Sequence, residues 1–446
     1  MDRVNRTEKN EARLLIGTVS VLLGLLFVVS CSDPLRGGWL GAGGATDRGG
    51  ALGAGGLVGT GAGTIGGSSP TGGTTGAGGT TAAGDTPNTK LVAKAISASC
   101  AVLSDGTVQC WGRGSSTTTT SLVPVAIAGI TNAVAVAESW GNNSSGESSC
   151  AVLSGGTVQC WGDNSSGELG NGSTTDSSVP VTVSGITNAM AVARGNDTCA
   201  VLSDGTVQCW GDNSHGDLGN GTTTNSLVPM TVSGITSAIA VSVGGNNFVC
   251  AVLSDGSVQR WGFDPFGFGS GPGGPGSNSV PVTITGITSA TAVAAGQGHA
   301  CALLSSGTIQ CWGFNAEGEL GNGTTKDPSV PITVSGITDA RAIAAGDSHT
   351  CALLRGGSVQ CWGDNAYGQL GNGSTNTCLD GGSRPCSLTP IAVSGITNAI
   401  AIAAGEEHTC ALLSGGSVQC WGSYYSAPFN GSVSFFSLMP VTVNGF

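Results

Sequence analysis

The sequence predicts an all-β fold, a seven-bladed β-propeller built from four-stranded antiparallel blades. One stretch, represented by Cys351–Gly363, occurs seven times with small changes, and each copy is surrounded by short runs typical of strands. Its Trp-Gly pairs begin at Trp111, Trp161, Trp210, Trp261, Trp312, Trp362 and Trp421. Successive copies are about 50 residues apart, a period typical of repeat architectures such as propellers.

Each repeat contains four short apolar runs separated by turn residues. In the copy that ends at Gly363 they are Val330–Val334, Arg341–Ala345, Cys351–Leu354 and Ser358–Trp362. Clusters of Gly, Asp and Ser bound each run, as expected for antiparallel strands. No part of the repeat has helical periodicity over the necessary length. Coils of a parallel β-helix are shorter, so a solenoid fits less well.

The cysteines of the repeat predict a bulged hairpin that brings two of them face to face. The three-residue turn Arg355-Gly356-Gly357 places Leu354 opposite Ser358 and Cys351 opposite Cys361. Opposed Cβ atoms are close enough for a disulfide after local twisting. The pairs would be Cys100–Cys110, Cys150–Cys160, Cys199–Cys209, Cys301–Cys311, Cys351–Cys361 and Cys410–Cys420. A reduced buried pair is the alternative, and zinc would need ligands from two blades.

Three further cysteines lie within the repeats. Cys378 and Cys386 belong to an insertion and are expected to bridge each other. Cys250 has no partner, because Arg260 stands at the partner position. Many cysteines at paired spacings behind a secretory signal indicate an oxidising compartment.

Residues 1–30 have the pattern of a signal peptide, with basic residues before an uncharged apolar run. The run ends in Val28-Val29-Ser30-Cys31, which resembles the bacterial lipobox. That resemblance implies cleavage before Cys31, lipidation of its thiol and an extracytoplasmic protein of the bacterial envelope, at the outer membrane or cell surface. An uncleaved membrane anchor is the alternative. Residues 31–87 are rich in Gly, Ala and Thr and predict a disordered linker, followed by the propeller at 88–446.

The composition argues against two classes of partner. The formal net charge is −12, and charged residues make up only 9% of the chain. A nucleic acid or an anionic membrane surface would be repelled, and there is no basic patch to overcome this. We expect no nucleic-acid partner, no cofactor and a monomer held by its lipid anchor.

The repeat resembles the regulator of chromosome condensation repeat. The segment at 351–373 reads Cys-Ala-Leu-Leu, then Gly-Ser-Val-Gln-Cys-Trp-Gly-Asp-Asn-Ala-Tyr-Gly-Gln-Leu-Gly-Asn-Gly, and similar copies cover 88–446. The resemblance implies a seven-bladed propeller; members of this family promote nucleotide exchange on a small GTPase and bind chromatin, and a secreted bacterial β-lactamase-inhibitory propeller is similar. The first and fourth copies lack the Gly-Gln-Leu-Gly loop, and the fourth has Arg260 in place of cysteine.

Few residues suggest catalysis or metal binding. The seven tryptophans recur at one position and are expected to pack between blades, with a ligand-binding ring as the alternative. Residues 162–172 resemble a calcium loop faintly but lack its bidentate glutamate. His299, His349 and His408 occupy one register, and a shared metal would require neighbouring blades to bring them together. We therefore predict no catalytic or metal-binding residues.

Irregular features concentrate in the loops at one predicted end of the propeller. Because the strands of a blade alternate in direction, the turn at Gly346–Thr350 and the loop after Trp362 lie at the same end. Aromatic residues in loops on a rigid scaffold are typical of binding surfaces. The candidate binding face comprises Trp140, Phe263, Phe266, Phe268, Tyr367, Tyr424, Tyr425, Phe429, Phe435 and Phe436. Neutral variation of these loops is the alternative.

These observations favour a membrane-tethered module that binds a protein or glycan at the cell surface, and not an enzyme. The alternatives are a polysaccharide-acting or other hydrolytic propeller and, by family resemblance, a guanine-nucleotide exchange factor.

Loop lengths lead to a prediction about ring closure. Short connections usually lie within a blade and longer ones between blades. The strand at Pro440–Val443 should then pair beside Leu91–Ile96 and complete the first blade.

Overall fold

The structure is a computed structural model that describes residues 91–112, 121–139, 147–264, 276–328, 330–375, 378, 384–423 and 436–445. The predicted signal peptide, Cys31 and the Gly-rich linker lie outside these residues. The described part of the chain forms seven four-stranded antiparallel sheets and no helix, which confirms the predicted fold class. Within these ranges there is accordingly no helix with the length and hydropathy needed to cross a membrane.

The strands follow one order in every blade, from the first to the fourth. The first strands are β1 (Ala93–Ile96), β5 (Ala133–Glu138), β9 (Ala189–Arg194), β13 (Ala238–Gly244), β17 (Ala290–Ala295), β21 (Ala340–Ala345) and β25 (Ala399–Ala404). The second strands are β2 (Cys100–Leu103), β6 (Ser148–Leu153), β10 (Asp197–Leu202), β14 (Phe248–Leu253), β18 (His299–Leu304), β22 (His349–Leu354) and β26 (His408–Leu413). The third strands are β3 (Val108–Gly112), β7 (Val158–Gly162), β11 (Val207–Gly211), β15 (Val258–Asp264), β19 (Ile309–Gly313), β23 (Val359–Asp364) and β27 (Val418–Ser423). The fourth strands are β4 (Ser121–Ala126), β8 (Ser177–Thr182), β12 (Ser226–Thr231), β16 (Gly276–Thr283), β20 (Ile332–Thr333), β24 (Cys386–Ala392) and β28 (Phe436–Thr442).

The hairpin between the second and third strands has the register that the turn chemistry predicts. Cys351 is directly opposite Cys361, and the six cysteine pairs of the repeats form disulfides with Cα–Cα distances of 4.0–4.1 Å. Cys378 is joined to Cys386, and Cys250 is free and buried opposite Arg260. Gly357 occupies the last turn position at φ +85°, and a Cβ there would lie 2.7 Å from the carbonyl oxygen of Thr397, in the connection to the next blade. Glycine is therefore required both for the turn and for blade packing.

The first strands lie next to one another around the axis of the ring, since each contacts the first strand of the following blade. Small side chains permit this close approach, and Ala342, Ala344 and Ala345 are all almost fully buried. The second and third strands bury large residues between blades. One such apolar cluster contains Trp362 and Trp421 from consecutive blades. Each blade is thereby stabilised mainly by its two neighbours.

The prediction about ring closure is wrong. β28 pairs with β27, with Val441 opposite Cys420, while β1 to β4 form a complete blade of their own. The long loop therefore lies within a blade and the Ser-Gly-Ile-Thr turn between blades. Loop length did not predict the blade boundary correctly, because the long loop folds into a compact unit within a blade. The short turn instead joins two blades and inserts a buried isoleucine, such as Ile337, between them.

The ring closes by packing between the first and last blades. The backbone nitrogen of Ala93 donates a 3.1 Å hydrogen bond to the carbonyl oxygen of Gly416. Ile96 and Trp111 of the first blade share one apolar cluster with Leu412 and Val443 of the last. No strand needs to be exchanged for this seam to be closed.

Candidate binding face

The topology assigns every connection to one of two ends of the propeller. The turns between first and second strands and the long loops between third and fourth strands share one end, which we call the loop face. The hairpin turns between second and third strands and the connections between blades form the other end, the turn face. This division follows from the antiparallel order of each sheet and agrees with the sequence prediction.

A buried asparagine organises each intact long loop. In the fifth blade the side-chain nitrogen of Asn315 donates to the carbonyl oxygens of Thr324 and Lys326, at 2.8 and 3.1 Å, and its oxygen accepts from the backbone nitrogen of Leu320. Asn164, Asn213 and Asn365 do the same in their blades. The amide thus satisfies backbone groups that would otherwise be exposed within the loop. Its oxygen is used by the protein, which supports the turn interpretation over a calcium loop.

The loop of one blade also holds the tryptophan of the next. The indole nitrogen of Trp362 donates to the carbonyl oxygen of Glu319 at 2.8 Å, and Leu320 beside it is fully buried. Equivalent bonds join Trp210 to Glu168, Trp261 to Asp217 and Trp421 to Gln369. Packing between blades, the predicted role of the tryptophans, is thus accompanied by a specific hydrogen bond.

For Trp161 and Trp312 no such bond is found within the described part of the chain. The buried indole nitrogens of Trp161 and Trp312 have no acceptor among the described residues. They follow the first and fourth blades, whose sequences lack the Gly-Glu-Leu-Gly loop. The long loops of these two blades, at 113–120 and 265–275, lie outside the described residues.

One position of the intact loop varies while the scaffold around it is retained. It lies just before the first loop glycine and is half-buried at the loop face. It is occupied by Ser166, His215, Glu317 and Tyr367 in four blades. The fixed asparagine, leucine and tryptophan contacts thus present a different side chain from each of these blades.

Of the predicted aromatic residues, three lie in the described part of the chain. Phe263 is half-buried and meets the ring of His215 edge-on, with centroids 5.4 Å apart. Tyr367 is half-buried, and Phe436 is 51% exposed at the start of β28. The remaining predicted residues lie outside the described ranges: Trp140, Phe266, Phe268, Tyr424, Tyr425, Phe429 and Phe435.

Sequence reasoning missed Phe314, which is 38% exposed at the loop face of the fifth blade. It stands two residues after the tryptophan, where three other blades have aspartate and the fourth blade has Phe263. That departure from the repeat was the signal that could have found it. The ring lies over Gly298, so closely that a Cβ on this glycine would be 2.6 Å from its Cε2 atom. Glycine at this position makes room for the aromatic ring.

A polar cluster joins the third and fourth blades. The side-chain nitrogen of Asn247 lies 3.0 Å from Nδ1 of His215 and 3.2 Å from a carboxylate oxygen of Asp212. Asn247 has φ +55°, a left-handed conformation that costs energy in a non-glycine residue. Beneath it Asp217 is buried, and burial together with the nearby Asp197 and Asp212 raises its pKa to about 9. This carboxyl group is therefore neutral at pH 7.

The three histidines of one register form contacts between blades and do not converge. Nε2 of His299 lies 2.9 Å from the hydroxyl of Thr350, and Nε2 of His349 lies 2.8 Å from that of Thr409. Both hydroxyls donate onward to loop carbonyls, so the histidines act as donors through Nε2. His408 reaches the carbonyl oxygen of Ala98 across the closing seam at 3.1 Å. Each ring is occupied within its own seam, which does not support a shared metal.

Burial strongly disfavours charge on these histidines. It lowers the pKa of His299 and of His349 to about 3, and that of His408 to about 4. They are neutral structural groups at physiological pH and are shielded from solvent.

Two buried titratable residues, Glu138 and Arg194, stand at a register where the later blades have valine or alanine. Glu138 accepts hydrogen bonds from the backbone and the hydroxyl of Ser99 in the preceding blade, and burial raises its pKa to about 7. Arg194 donates to Thr198 and to the carbonyl oxygen of Glu168. Both residues form hydrogen bonds between neighbouring blades.

Asp197, Cys199 and Cys209 lie close together but are unsuited to metal binding, because the two sulfurs are bonded to each other.

Comparisons of sequence identify the repeats. Residues 155–202, 204–252, 306–353 and 356–412 match the regulator of chromosome condensation repeat, and so do 290–319 and 340–369 by a second description of it. No curated protein matches the sequence of the chain.

Solved structures with the same fold have low sequence identity. The yeast regulator of chromosome condensation, Prp20, in complex with Kap60 is 18% identical, with a TM-score of 0.63 over 79% of this chain and 85% of that one. Prp20p of Saccharomyces cerevisiae, described with its binding to Gsp1p and histones, is 19% identical, with a TM-score of 0.62 over 80% and 88%. Human WBSCR16 is 20% identical, with a TM-score of 0.61 over 73% and 85%. At these identities the likeness concerns the fold.

Proposed function

Since the chain is built from regulator of chromosome condensation repeats, we propose that it is a binding module that holds a macromolecular partner on its loop face. The observation that carries this proposal is the variable loop position. The loops are held rigidly by Asn315, Leu320 and Trp362 and by their counterparts in other blades. The residue just before the first loop glycine nevertheless changes from blade to blade. Diversity on a rigid scaffold is the usual arrangement of a recognition surface.

The chemistry of the titratable groups also favours binding over catalysis. Glu138, whose pKa is raised, and His299, His349 and His408, whose pKa values are lowered, are buried between blades and bond to the neighbouring blade. A catalytic acid or base must reach its substrate. We therefore propose a role without enzymatic activity.

The similar yeast protein supports a protein partner by analogy, because Prp20p is described as binding Gsp1p and histones, and Kap60 in a complex.

We further propose that the module acts outside the cytoplasm, tethered by a lipid on Cys31. This part of the proposal is supported by the signal-like pattern of residues 1–31 and the Gly-rich stretch that follows.

A photocrosslinking experiment in the producing cells tests the face assignment. A photoreactive phenylalanine analogue replaces Tyr367 on the loop face or, as the matched control, Arg355 on the turn face of the same blade. We expect a discrete crosslinked product from position 367 and none of that mass from position 355. Equal labelling from both faces, or from 355 alone, would overturn the proposal.

A further inference from the structure

The two faces of the propeller differ strongly in charge. Among the described residues, nine acidic side chains at the loop face are exposed or half-buried: Glu147, Asp163, Asp176, Asp212, Glu317, Asp327, Asp347, Glu406 and Glu407. Of the described basic residues at this face, Lys326 and Arg384 oppose them, apart from the buried Arg194 and Arg260. The turn face is nearly balanced, with Asp105, Asp204, Asp255 and Asp339 against Lys94, Arg341 and Arg355. The negative field of the molecule is thus concentrated where the variable loops lie.

Aromatic side chains lie on the same face in three consecutive blades. Phe263, Phe314 and Tyr367 belong to the fourth, fifth and sixth blades, and Phe314 presents more than a third of its surface to solvent. An exposed ring packed closely against Gly298 loses little conformational entropy on binding a partner.

Hydrogen bonds between backbone atoms connect Phe314 to the acidic turns of the following blades. The nitrogen of Phe314 donates to the carbonyl oxygen of Gly298 at 3.0 Å. The nitrogen of Gln297 donates to Asp347, and that of Asp347 donates to Glu406, each at 3.2 Å. The backbones of Phe314, Asp347 and Glu406 are therefore linked through the turns of the fifth, sixth and seventh blades, and we call these three residues the strip.

We propose that this strip binds an arginine-rich segment of a partner protein. This proposal rests on the binding function proposed above. A guanidinium group pairs with carboxylates and stacks on an aromatic face, and the strip offers both kinds of contact. An ammonium group pairs with the carboxylates but stacks less well. An anionic partner would be repelled by the negative charge of the whole loop face.

Binding of octa-arginine and octa-lysine peptides to the full chain tests this proposal by fluorescence anisotropy. The loop-face variant combines Glu317→Gln, Asp347→Asn and Glu406→Gln. The matched variant combines Asp105→Asn, Asp204→Asn and Asp255→Asn, which removes the same charge from hairpin turns where other blades have glycine or serine. Thermal unfolding of both variants checks that the fold is retained.

We expect the loop-face variant to bind octa-arginine roughly tenfold more weakly and the turn-face variant less than about twofold more weakly. Octa-arginine should bind several-fold more tightly than octa-lysine, and Phe314→Ala should abolish that preference. Equal weakening by both variants, or no preference for arginine, would overturn the proposal, as would selective binding of a neutral glycan at the strip. If crosslinking at position 367 still captures a partner in that case, the binding function stands and only the partner class fails.

Discussion

The indole nitrogen of Trp261 lies 2.7 Å from the carbonyl oxygen of Asp217, in the loop of the preceding blade. Trp312, one blade later, is equally buried and has no acceptor among the described residues. Over the described part of the chain, the two tryptophans therefore differ in this hydrogen bond and not in burial.

Trp261→Phe should destabilise the propeller more than Trp312→Phe, by about 1–2 kcal/mol. Both substitutions remove the same apolar volume, and the first also leaves the carbonyl oxygen of Asp217 without its donor, whereas Trp312 has no acceptor within the described part of the chain. Urea unfolding of both variants measures the difference. Equal losses would show that the bond contributes nothing beyond packing.

The fourth blade lacks the repeat disulfide because Arg260 stands opposite Cys250, and a substitution can introduce it. The double variant Arg260→Cys, Asp264→Asn should form a bond between Cys250 and residue 260, since these positions are directly opposed. The second change is needed because Arg260 forms a 2.9 Å ion pair with Asp264, and other blades have asparagine there. We expect a gain of about 2–3 kcal/mol over the control Arg260→Ala, Asp264→Asn. Non-reducing peptide mapping detects the bond, and a free thiol at both positions would contradict the prediction.

Glu319 should make stability fall as the pH rises. Its side chain is buried, and burial raises its pKa from 4.5 to about 8. The folded state therefore retains a proton that the unfolded chain releases, so stability decreases between about pH 4.5 and pH 8, by up to about 1.4 kcal/mol per pH unit.

Glu319→Gln should remove this decline, and the next blade provides the reciprocal variant. Gln369 occupies the same position and accepts the same type of hydrogen bond, 2.8 Å from the backbone nitrogen of Tyr367. Gln369→Glu should therefore introduce a decline at high pH. Urea unfolding at pH 5 and about pH 8 measures both effects. Parallel pH profiles for wild type and both variants would contradict this account.

The buried histidines should act at the opposite end of the pH range. The pKa of His349 is lowered from 6.5 to about 3, so the unfolded chain binds a proton that the folded state excludes. Stability should fall as the pH decreases from about 6.5 to about 3. His349→Gln should reduce that dependence, whereas the half-buried His215→Gln serves as the control. An unchanged acid profile in His349→Gln would show that this ring does not limit acid stability.

Cys31→Ala should abolish lipid labelling and release the protein from membranes. Metabolic labelling with an alkyne-tagged fatty acid, followed by fractionation, measures both. Cys250→Ala is the matched control, because this buried thiol lies in the propeller and should leave the lipid in place. A Cys31→Ala protein that still sediments entirely with membranes would refute the lipid tether.

The sequence by itself determined the repeat, the four strands per blade, the cysteine register and the two faces. These features depend on local chemistry: residue alternation, turn glycines and the three-residue turn before Ser358 are all readable along the chain. The recurring tryptophans and the absence of an intact loop in the first and fourth copies were visible for the same reason.

The tertiary structure decided where one blade ends and the next begins. Loop length predicted that Pro440–Val443 would pair beside Leu91–Ile96, but β28 pairs with β27. The long loop is compact because Asn315 and its counterparts bond its backbone internally, and because its carbonyl groups accept from the next blade. The exposure of Phe314 over Gly298 and the burial of His299 also depend on contacts between distant segments. Such contacts follow from the packing of neighbouring blades, which no single repeat can specify.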